Sequence, residues 1–168
     1  MDCKPKTQVT QNILRQLLSY DPLTGIFTRL KRTSMRINVG QEAGYLHKDG
    51  GVQISVLNKE YKAHRLAWLY MTGEWPEFEI DHINGNRSDN RWENLRDIKH
   101  AINLQNRRKP QTNNRSTGLL GVYPNKKRYR AVIATNGKST HLGTFDTPDG
   151  AHEAYLKAKR KFHAGCTI

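Results

Sequence analysis

Residues 81–95 read DHINGNRSDNRWENL, and this stretch decides how the middle of the chain is interpreted. An acid and a histidine, Asp81 and His82, stand directly before a turn rich in Asn, Gly and Asp. A carboxylate is a hard ligand suited to Mg²⁺ or Mn²⁺, and a histidine with an ordinary pKa of about 6.5 can act as a general base. Hydrolysis of a phosphodiester needs a base for the attacking water and a cation that offsets charge on the phosphate. The pair is therefore a candidate for that chemistry.

The two side chains need help from the local backbone to act together. Neighbours on a strand point to opposite faces, so Asp81 and His82 can converge only where the strand ends or twists. Asn84 and Gly85 follow directly and predict such a break. A second ligand has to come from a facing element, and Asn103 is the best placed polar candidate, because its side-chain oxygen can bind a hard cation.

Other polar side chains around this stretch have competing interpretations. We expect Asn86, Asp89 and Asn90 to hold the turn through local hydrogen bonds of the Asx type rather than to bind a cation. His64 begins an amphipathic helix well before the motif, and a structural contact is the expected role. Arg96 is suited either to stabilising phosphate charge or to an ordinary salt bridge, and the sequence leaves both open.

The charge of the chain is uneven. Lys and Arg number 28 against 15 Asp and Glu, a net charge of +13, and residues 106–168 hold 13 of the basic and 3 of the acidic side chains. Such a basic region commonly binds a polyanion, with nucleic acid as the first candidate and an anionic membrane as the rival. No stretch approaches the roughly 20 apolar residues of a membrane span, and the start lacks a hydrophobic signal core. We expect a cytoplasmic protein that binds nucleic acid and no membrane.

The residue pattern predicts an α+β protein. Apolar periodicity predicts helices over 10–19, 64–73 and 98 to about 107, the last with Asp97 as its N-cap. Strand-like runs at 26–30, 43–46, 51–57 and 60–63 predict one small antiparallel sheet within residues 20–63. The stretch 106–118 is basic, holds a proline and lacks an apolar period, which is typical of an exposed linker. Eleven of these residues, 107–117, reach about 35 Å when extended and could follow a duplex to a second contact site.

The last part of the chain predicts three strands and a helix. The run 128–135 alternates an outer set, Arg128, Arg130 and Val132, with an inner set, Tyr129, Ala131 and Ile133. Pro148 follows a capping Thr147 and starts a helix with an apolar stripe formed by Ala151, Ala154, Tyr155, Ala158 and Phe162. One face of the sheet is expected to pack on that helix, which leaves the other face open for binding.

The central stretch also resembles a known family. EIDHINGNRSDNRWENLR followed by NLQNR is similar to the HNH nucleases built from a β-hairpin, a helix and one metal ion, in the Asn form found among phage and intron homing endonucleases. LSYDPLTGIFTR, KDGGVQIS and YKAHRLAWLYMTGEWP resemble the N-terminal part of the same phage group. The resemblance implies that His82 is the general base and that Asn94 braces the hairpin and orients this histidine. It further implies Asp81 and Asn103 as ligands of one divalent ion.

Many members of that family carry His at the position matched by Asn103. The Asn form favours Mg²⁺ or Mn²⁺ over tight binding of a transition metal. The family implies products with 5′-phosphate and 3′-hydroxyl ends.

The C-terminal part resembles a second family. GVYPNKKRYRAVI and GKSTHLGTFDTPDGAHEAYLKA, within about residues 118–163, are similar to the DNA-binding domain of the Apetala and ethylene-response family. In that family a three-stranded sheet lies in the major groove and a helix backs it. The expected DNA-binding side chains of the linker and this sheet are Arg107, Arg108, Lys109, Arg115, Tyr123, Lys126, Lys127, Arg128, Arg130 and Lys138.

Together these features predict four regions: 1–63 with an N-terminal helix and sheet, 64–106 as the nuclease module, 107–117 as a basic linker, and 118–168 as a DNA-binding domain. The predicted function is a metal-dependent, site-specific endonuclease of double-stranded DNA. We expect a monomer, which with one metal centre would nick one strand. The alternatives are a non-catalytic, sequence-specific DNA-binding regulator and a basic RNA-binding protein.

Overall fold

The computed structural model describes residues 9–110, 116–135 and 137–168 and shows an α+β protein. Within these residues there are four α-helices and ten short strands, and the strands form four small antiparallel sheets. This composition confirms the predicted fold class. The chain divides into two compact units, Met1–Ile98 and Lys99–Ile168. The region boundaries expected after residues 63, 106 and 117 stay predictions. In the described ranges, no helix is long and apolar enough to cross a membrane.

The N-terminal unit begins with a short helix that runs directly into a strand. Helix α1, Gln11–Leu17, is capped by Thr10, whose hydroxyl accepts a hydrogen bond from the backbone N–H of Ile13. Strand β1, Leu18–Tyr20, pairs with β2, Phe27–Arg29. The helix ends two residues before the predicted position 19 because Leu18 is fully buried and pairs with Arg29.

A second sheet follows, so residues 20–63 form two sheets rather than the single one predicted. It consists of β3, Tyr45–Leu46, β4, Val52–Val56, and β5, Lys59–Lys62, in that order. The long segment between β2 and β3 is mostly exposed, and it is paired to β2 only at its end, by the bridge of Thr28 with Glu42 and by backbone hydrogen bonds of residues 40–43 to Phe27 and Arg29. With so little apolar surface to bury, this segment does not join the two sheets into one.

The hairpin that carries the central motif packs on the same core as these elements. Helix α2, Ala63–Thr72, ends at Gly73, which adopts a left-handed conformation with φ 88° as predicted for the stop. Strands β6, Glu79–His82, and β7, Leu95–Ile98, then pair as an antiparallel hairpin, with a 3-10 turn at Trp92–Asn94 between them. The buried core of this unit combines Leu14, Leu18, Phe27, Ile54, Leu66, Ile80 and Leu95.

The helix predicted from residue 98 starts later. Helix α3 is His100–Gln105 with Lys99 at its N-cap, and Ile98 instead pairs with Glu79 as the last residue of β7. Asp97 does not cap the helix. Its two carboxylate oxygens accept hydrogen bonds from the backbone N–H groups of Glu77 and Phe78, at 2.8 and 3.0 Å. Strand pairing therefore outweighs the local helical pattern here.

The C-terminal unit contains the predicted three-stranded sheet backed by a helix. Strands β8, Val122–Asn125, β9, Arg128–Thr135, and β10, Lys138–Phe145, form an antiparallel sheet in the order β10-β9-β8. Helix α4, Pro148–Phe162, packs on it, and Thr147 caps the helix through the N–H of Gly150. Ala131 and Ile133 are buried while Arg128 and Arg130 are exposed, as the alternation predicted. Phe162, in the last turn of α4, is 53% exposed and lies outside the buried stripe.

Candidate active site

The end of the β6–β7 hairpin holds the central acid and histidine. Asp81 lies opposite Arg96 and His82 opposite Leu95, so the last two positions of β6 alternate between the faces of the hairpin. Strand β6 ends at His82, and Gly85 follows with φ 75°, a left-handed conformation that glycine adopts without strain. The break that the sequence predicted after His82 is present.

Asp81 is buried and forms an ion pair across the hairpin. It is 8% exposed, and its Oδ2 accepts hydrogen bonds from Nε and Nη2 of Arg96 at 3.0 and 2.8 Å. The pair forms because the two residues face each other in the strand register. Of the two roles left open for Arg96, the structure shows the salt bridge.

His82 is buried beside a carboxamide of the loop. It is 5% exposed, and its Nε2 lies 3.4 Å from Oδ1 of Asn90. The amide nitrogen of Asn90 donates to the carbonyl oxygen of Ser88 at 3.1 Å, which turns the carboxamide oxygen toward the imidazole. Because a carboxamide oxygen only accepts, this contact favours the tautomer with the hydrogen on Nε2, in which Nδ1 is the basic nitrogen.

Burial keeps His82 in the neutral form. It lowers the pKa of His82 below the ordinary value of 6.5, against the hydrogen bond to Asn90 and the charge of Asp81, which raise it. The loss of hydration on burial disfavours the charged imidazolium. At neutral pH the imidazole is therefore the unprotonated base.

Asn94 braces the loop between the two strands. Its Oδ1 accepts a hydrogen bond from the backbone N–H of Asn84 at 2.9 Å, and its Nδ2 donates to the carbonyl of Asp89 at 2.7 Å. Asn94 is 5% exposed and so has these partners inside the protein. The bracing expected of Asn94 is seen in these contacts, whereas its role in orienting His82 stays a prediction.

The loop also stabilises itself, as the Asx interpretation expected. Asn86 Oδ1 accepts from the N–H and hydroxyl of Ser88, and the carboxylate of Asp89 binds the guanidinium of Arg91. The hydrogen bond from Arg91 is the main cause that lowers the pKa of Asp89 to about 2. Asn90 departs from this interpretation, because its carboxamide binds the catalytic candidate His82 as well as the loop.

Strand β1 and the turn that follows it contact the backbone of Asn90 and its neighbours. The hydroxyl of Tyr20 donates to the backbone carbonyl of Asn90 at 2.7 Å, and the N–H of Trp92 donates to the carbonyl of Pro22 at 3.0 Å. Gly25, with φ 75°, lies so close that a Cβ would stand 2.4 Å from the carbonyl carbon of Asn90. The turn at residues 21–25, DPLTG, therefore supports the loop that contacts His82.

Asn103 lies in α3 and so belongs to the C-terminal compact unit. Among the described residues, no group of three or more His, Cys, Asp or Glu side chains could hold a metal ion. The predicted donor set is of another kind, one carboxylate and one carboxamide, both with oxygen atoms of the type that Mg²⁺ binds while it keeps several waters. Asp81 and Asn103 fit such an ion chemically, and their sharing of one stays a prediction.

The expected DNA-binding side chains belong to the C-terminal unit. Those with an exposed position in the structure are Arg107, Arg108, Lys109, Tyr123, Lys126, Lys127, Arg128, Arg130 and Lys138, whereas Arg115 lies outside the described residues. Arg128 pairs with Asp146 at 2.7 Å, and the guanidinium of Arg130 lies 5.6 Å from the ring centre of Tyr123. The sheet thus presents a basic face opposite α4.

Comparison with known families agrees with the central site. Residues 61–105 match the family described as HNH endonuclease, which covers 45 of the 168 residues. The matched segment contains Asp81, His82, Asn94 and Asn103. No curated protein and no solved structure matches the chain. The match supports an HNH nuclease, a class of metal-dependent enzymes that hydrolyse DNA.

Proposed function

We propose that this protein is a metal-dependent, site-specific endonuclease of double-stranded DNA, similar to the homing endonucleases. The observation that carries the proposal is His82, a buried imidazole with a lowered pKa whose Nε2 lies 3.4 Å from the carboxamide oxygen of Asn90. This histidine follows Asp81 directly and lies in the segment that matches the HNH family. A purely structural histidine needs no such combination of neighbours.

In the proposed reaction, His82 is the general base. Nδ1 takes a proton from a water molecule, whose oxygen attacks the phosphorus, and the bond to the 3′ oxygen breaks while that oxygen takes a proton from solvent water. The products are a 5′-phosphate and a 3′-hydroxyl end. Asn90 holds the Nε2 edge of the imidazole, and Asn94 keeps the loop in place through Asn84 and Asp89.

Asp81 and Asn103 are the residues proposed to hold the divalent ion, Mg²⁺ or Mn²⁺. When bound, the ion would offset negative charge on the phosphate and on the departing oxygen. Arg96 contributes a fixed positive charge beside Asp81, at 2.8 Å from its Oδ2.

The C-terminal unit is proposed to grip the DNA in the manner of an Apetala and ethylene-response domain. Strands β8 and β9 and the turn between them carry five exposed side chains: Tyr123, Lys126, Lys127, Arg128 and Arg130. The cationic ones are suited to phosphate contacts, and Arg is also suited to guanine in the major groove. The linker at 107–117 adds Arg107, Arg108, Lys109 and Arg115. A cytoplasmic monomer that nicks one strand completes the proposal.

The test is cleavage of supercoiled DNA by the purified protein with Mg²⁺, with Mn²⁺ and with a chelator. We expect a nicked circle with either ion and intact DNA with the chelator. The substitution His82→Ala is expected to lower kcat by about 10²–10⁴-fold, the usual contribution of a general base, and to leave DNA affinity unchanged.

Three other outcomes would change the assignment. A linear product would replace the nicking monomer by cutting of both strands. DNA left whole with both ions, together with tight and sequence-selective binding, would identify a non-catalytic regulator. Stronger binding of structured RNA than of duplex DNA at matched salt would identify an RNA-binding protein.

A further inference from the structure

His64, outside the residues assigned above, packs against the proposed general base. Its ring centre lies 4.9 Å from that of His82, and the two ring planes meet at 89°. This edge-to-face geometry is the preferred one for aromatic pairs. The expected structural contact of His64 is thus a contact with the proposed catalytic side chain.

The backbone that carries His64 is firmly held. It is the second residue of α2, between Ala63, which is 1% exposed, and Leu66, which is fully buried in the core. The imidazole of His82 is held at Nε2 by Asn90, so His64 provides a second restraint from a different element. Two restraints from separate elements define the orientation of a ring better than one.

Stability alone does not explain a histidine at this position. Within the described part of the chain, the Nδ1 atom of His64 is buried and has no hydrogen-bond partner. A buried polar atom without a partner lowers the stability of the folded protein, a cost that an apolar side chain of similar shape would avoid. Burial also lowers the pKa of His64 to about 3, so the ring stays neutral and adds no charge beside His82.

A metal site does not explain His64 either. His64, His82 and Asp81 do not form a cation-binding group, since none of three or more such side chains exists among the described residues. What remains is the direct ring contact with the base. This argument rests on the proposed function, because it assigns a role in the same reaction.

We propose that His64 is a positioning residue for His82: its ring, packed edge to face, keeps the imidazole of His82 turned with Nε2 toward Asn90, the orientation and tautomer in which it accepts the proton. His64 does not touch the substrate in this role and acts through His82 alone. Its removal therefore changes the rate of the chemical step and leaves DNA binding as it was.

A matched pair of substitutions separates the ring contact from side-chain volume. His64→Phe keeps a flat ring that can pack edge to face on His82, whereas His64→Leu fills the space without a ring. We expect His64→Leu to lower kcat by about ten-fold or more at unchanged KM, and His64→Phe to retain several times more of the activity. Because Phe lacks the unpartnered Nδ1 atom, His64→Phe is also expected to be at least as stable as the natural protein.

Two results would overturn the proposal. Equal kcat values for His64→Phe and His64→Leu would show that only bulk matters, and a His64→Leu protein with full kcat would show that no contact from this position matters for the reaction. If any variant melts at a lower temperature, all kcat values are measured where every variant is folded, so that a loss of folded protein does not imitate a loss of rate.

A spectroscopic measurement tests the inference without catalysis. Long-range ¹⁵N–¹H NMR spectra of protein labelled at histidine report the tautomer of His82, with His82→Ala to assign its signals. We expect one tautomer in the natural protein and a mixture in His64→Leu. An unchanged His82 spectrum would refute the role of His64 even if the protein cleaves DNA, whereas a changed spectrum in a protein that never cleaves would refute the proposed function alone.

Discussion

The hairpin of β6 and β7 and the sheet of β8 to β10 are both small antiparallel structures, but they place their polar side chains differently. In the hairpin region Asp81, His82, Asn90 and Asn94 are at most 8% exposed, and other protein groups hold each of them. In the sheet, Lys126, Lys127, Arg128 and Arg130 are all exposed. This difference suits the two proposed roles. Proton transfer needs groups in fixed positions, whereas attraction to phosphates needs charge at the surface.

After the loss of His82 itself, the largest fall in kcat is expected from removal of the hydrogen bond that holds its ring. Asn90→Ala takes away the acceptor at Nε2, and such supporting groups typically contribute about 10–100-fold to activity. We expect kcat to fall within that range with unchanged DNA affinity. Asn86→Ala is the control, since Asn86 binds Ser88 in the same loop. Equal losses in both variants would show that loop order, and not the contact with His82, is what matters.

The next effect is a loss of unfolding free energy, expected where the turn at residues 21–25 contacts the loop. Gly25→Ala adds a Cβ at 2.4 Å from the carbonyl carbon of Asn90 and strains a backbone with φ +75°, so we expect a loss of about 2–3 kcal/mol in unfolding free energy. Gly40→Ala is the matched control, because Gly40 has φ +82° with nothing within 4 Å. It should cost only the backbone strain, about 1 kcal/mol. Denaturant unfolding of both variants measures the difference, and equal losses would contradict the proposed support.

Acid sensitivity should distinguish the buried site from the exposed sheet. The folded protein binds a proton at His64 only near pH 3, whereas the unfolded chain does so near 6.5. Stability therefore falls as the pH drops from 6.5 toward 3, by at most about 1.4 kcal/mol per pH unit from this group. His64→Phe should flatten this fall between pH 6.5 and 5 in denaturant titrations. Thr140→Val, at an exposed position of β10, changes no titratable group and should leave the slope as it is.

The smallest effect is expected on the basic sheet. Arg130→Gln should make the negative slope of log affinity against log salt concentration shallower by about 0.9, which corresponds to the loss of one phosphate contact. Little change in unfolding free energy is expected. Arg128→Gln should change the slope less, because Asp146 already pairs with Arg128 at 2.7 Å. Binding titrations at several salt concentrations measure both slopes. A change in kcat at saturating DNA would contradict the assignment of these residues to binding alone.

Sequence patterns were informative wherever chemistry and local structure coincide. The α+β class, the stop of α2 at Gly73 and the alternation along β9 follow from turn residues and from strand periodicity, which act over a few residues. The pairing of Ile98 with Glu79 could not be read in this way. It depends on a partner 19 residues away, and it overrides the helical pattern that starts there.

The candidate site divides along the same line. Asp81 and His82 stand out because of their residue types, but Asn90 looked like one of several loop asparagines. Its contact with His82 depends on Tyr20, 70 residues earlier, which holds the backbone of Asn90. No local sequence pattern predicts such a contact. The same holds for His64: its position in a helix can be predicted from sequence, but only the fold places its ring against His82.

The salt bridge between Asp81 and Arg96 has a consequence for assembly of the enzyme. Many small metal-binding domains are unfolded without their ion, because the free energy of ion binding is part of their folding free energy. Here the guanidinium of Arg96 pairs with the carboxylate of Asp81, at 2.8 Å from Oδ2. If Asp81 binds the proposed ion, the hairpin can therefore fold before the ion arrives, and a chelator is expected to stop cleavage while the polypeptide stays folded and can be reloaded.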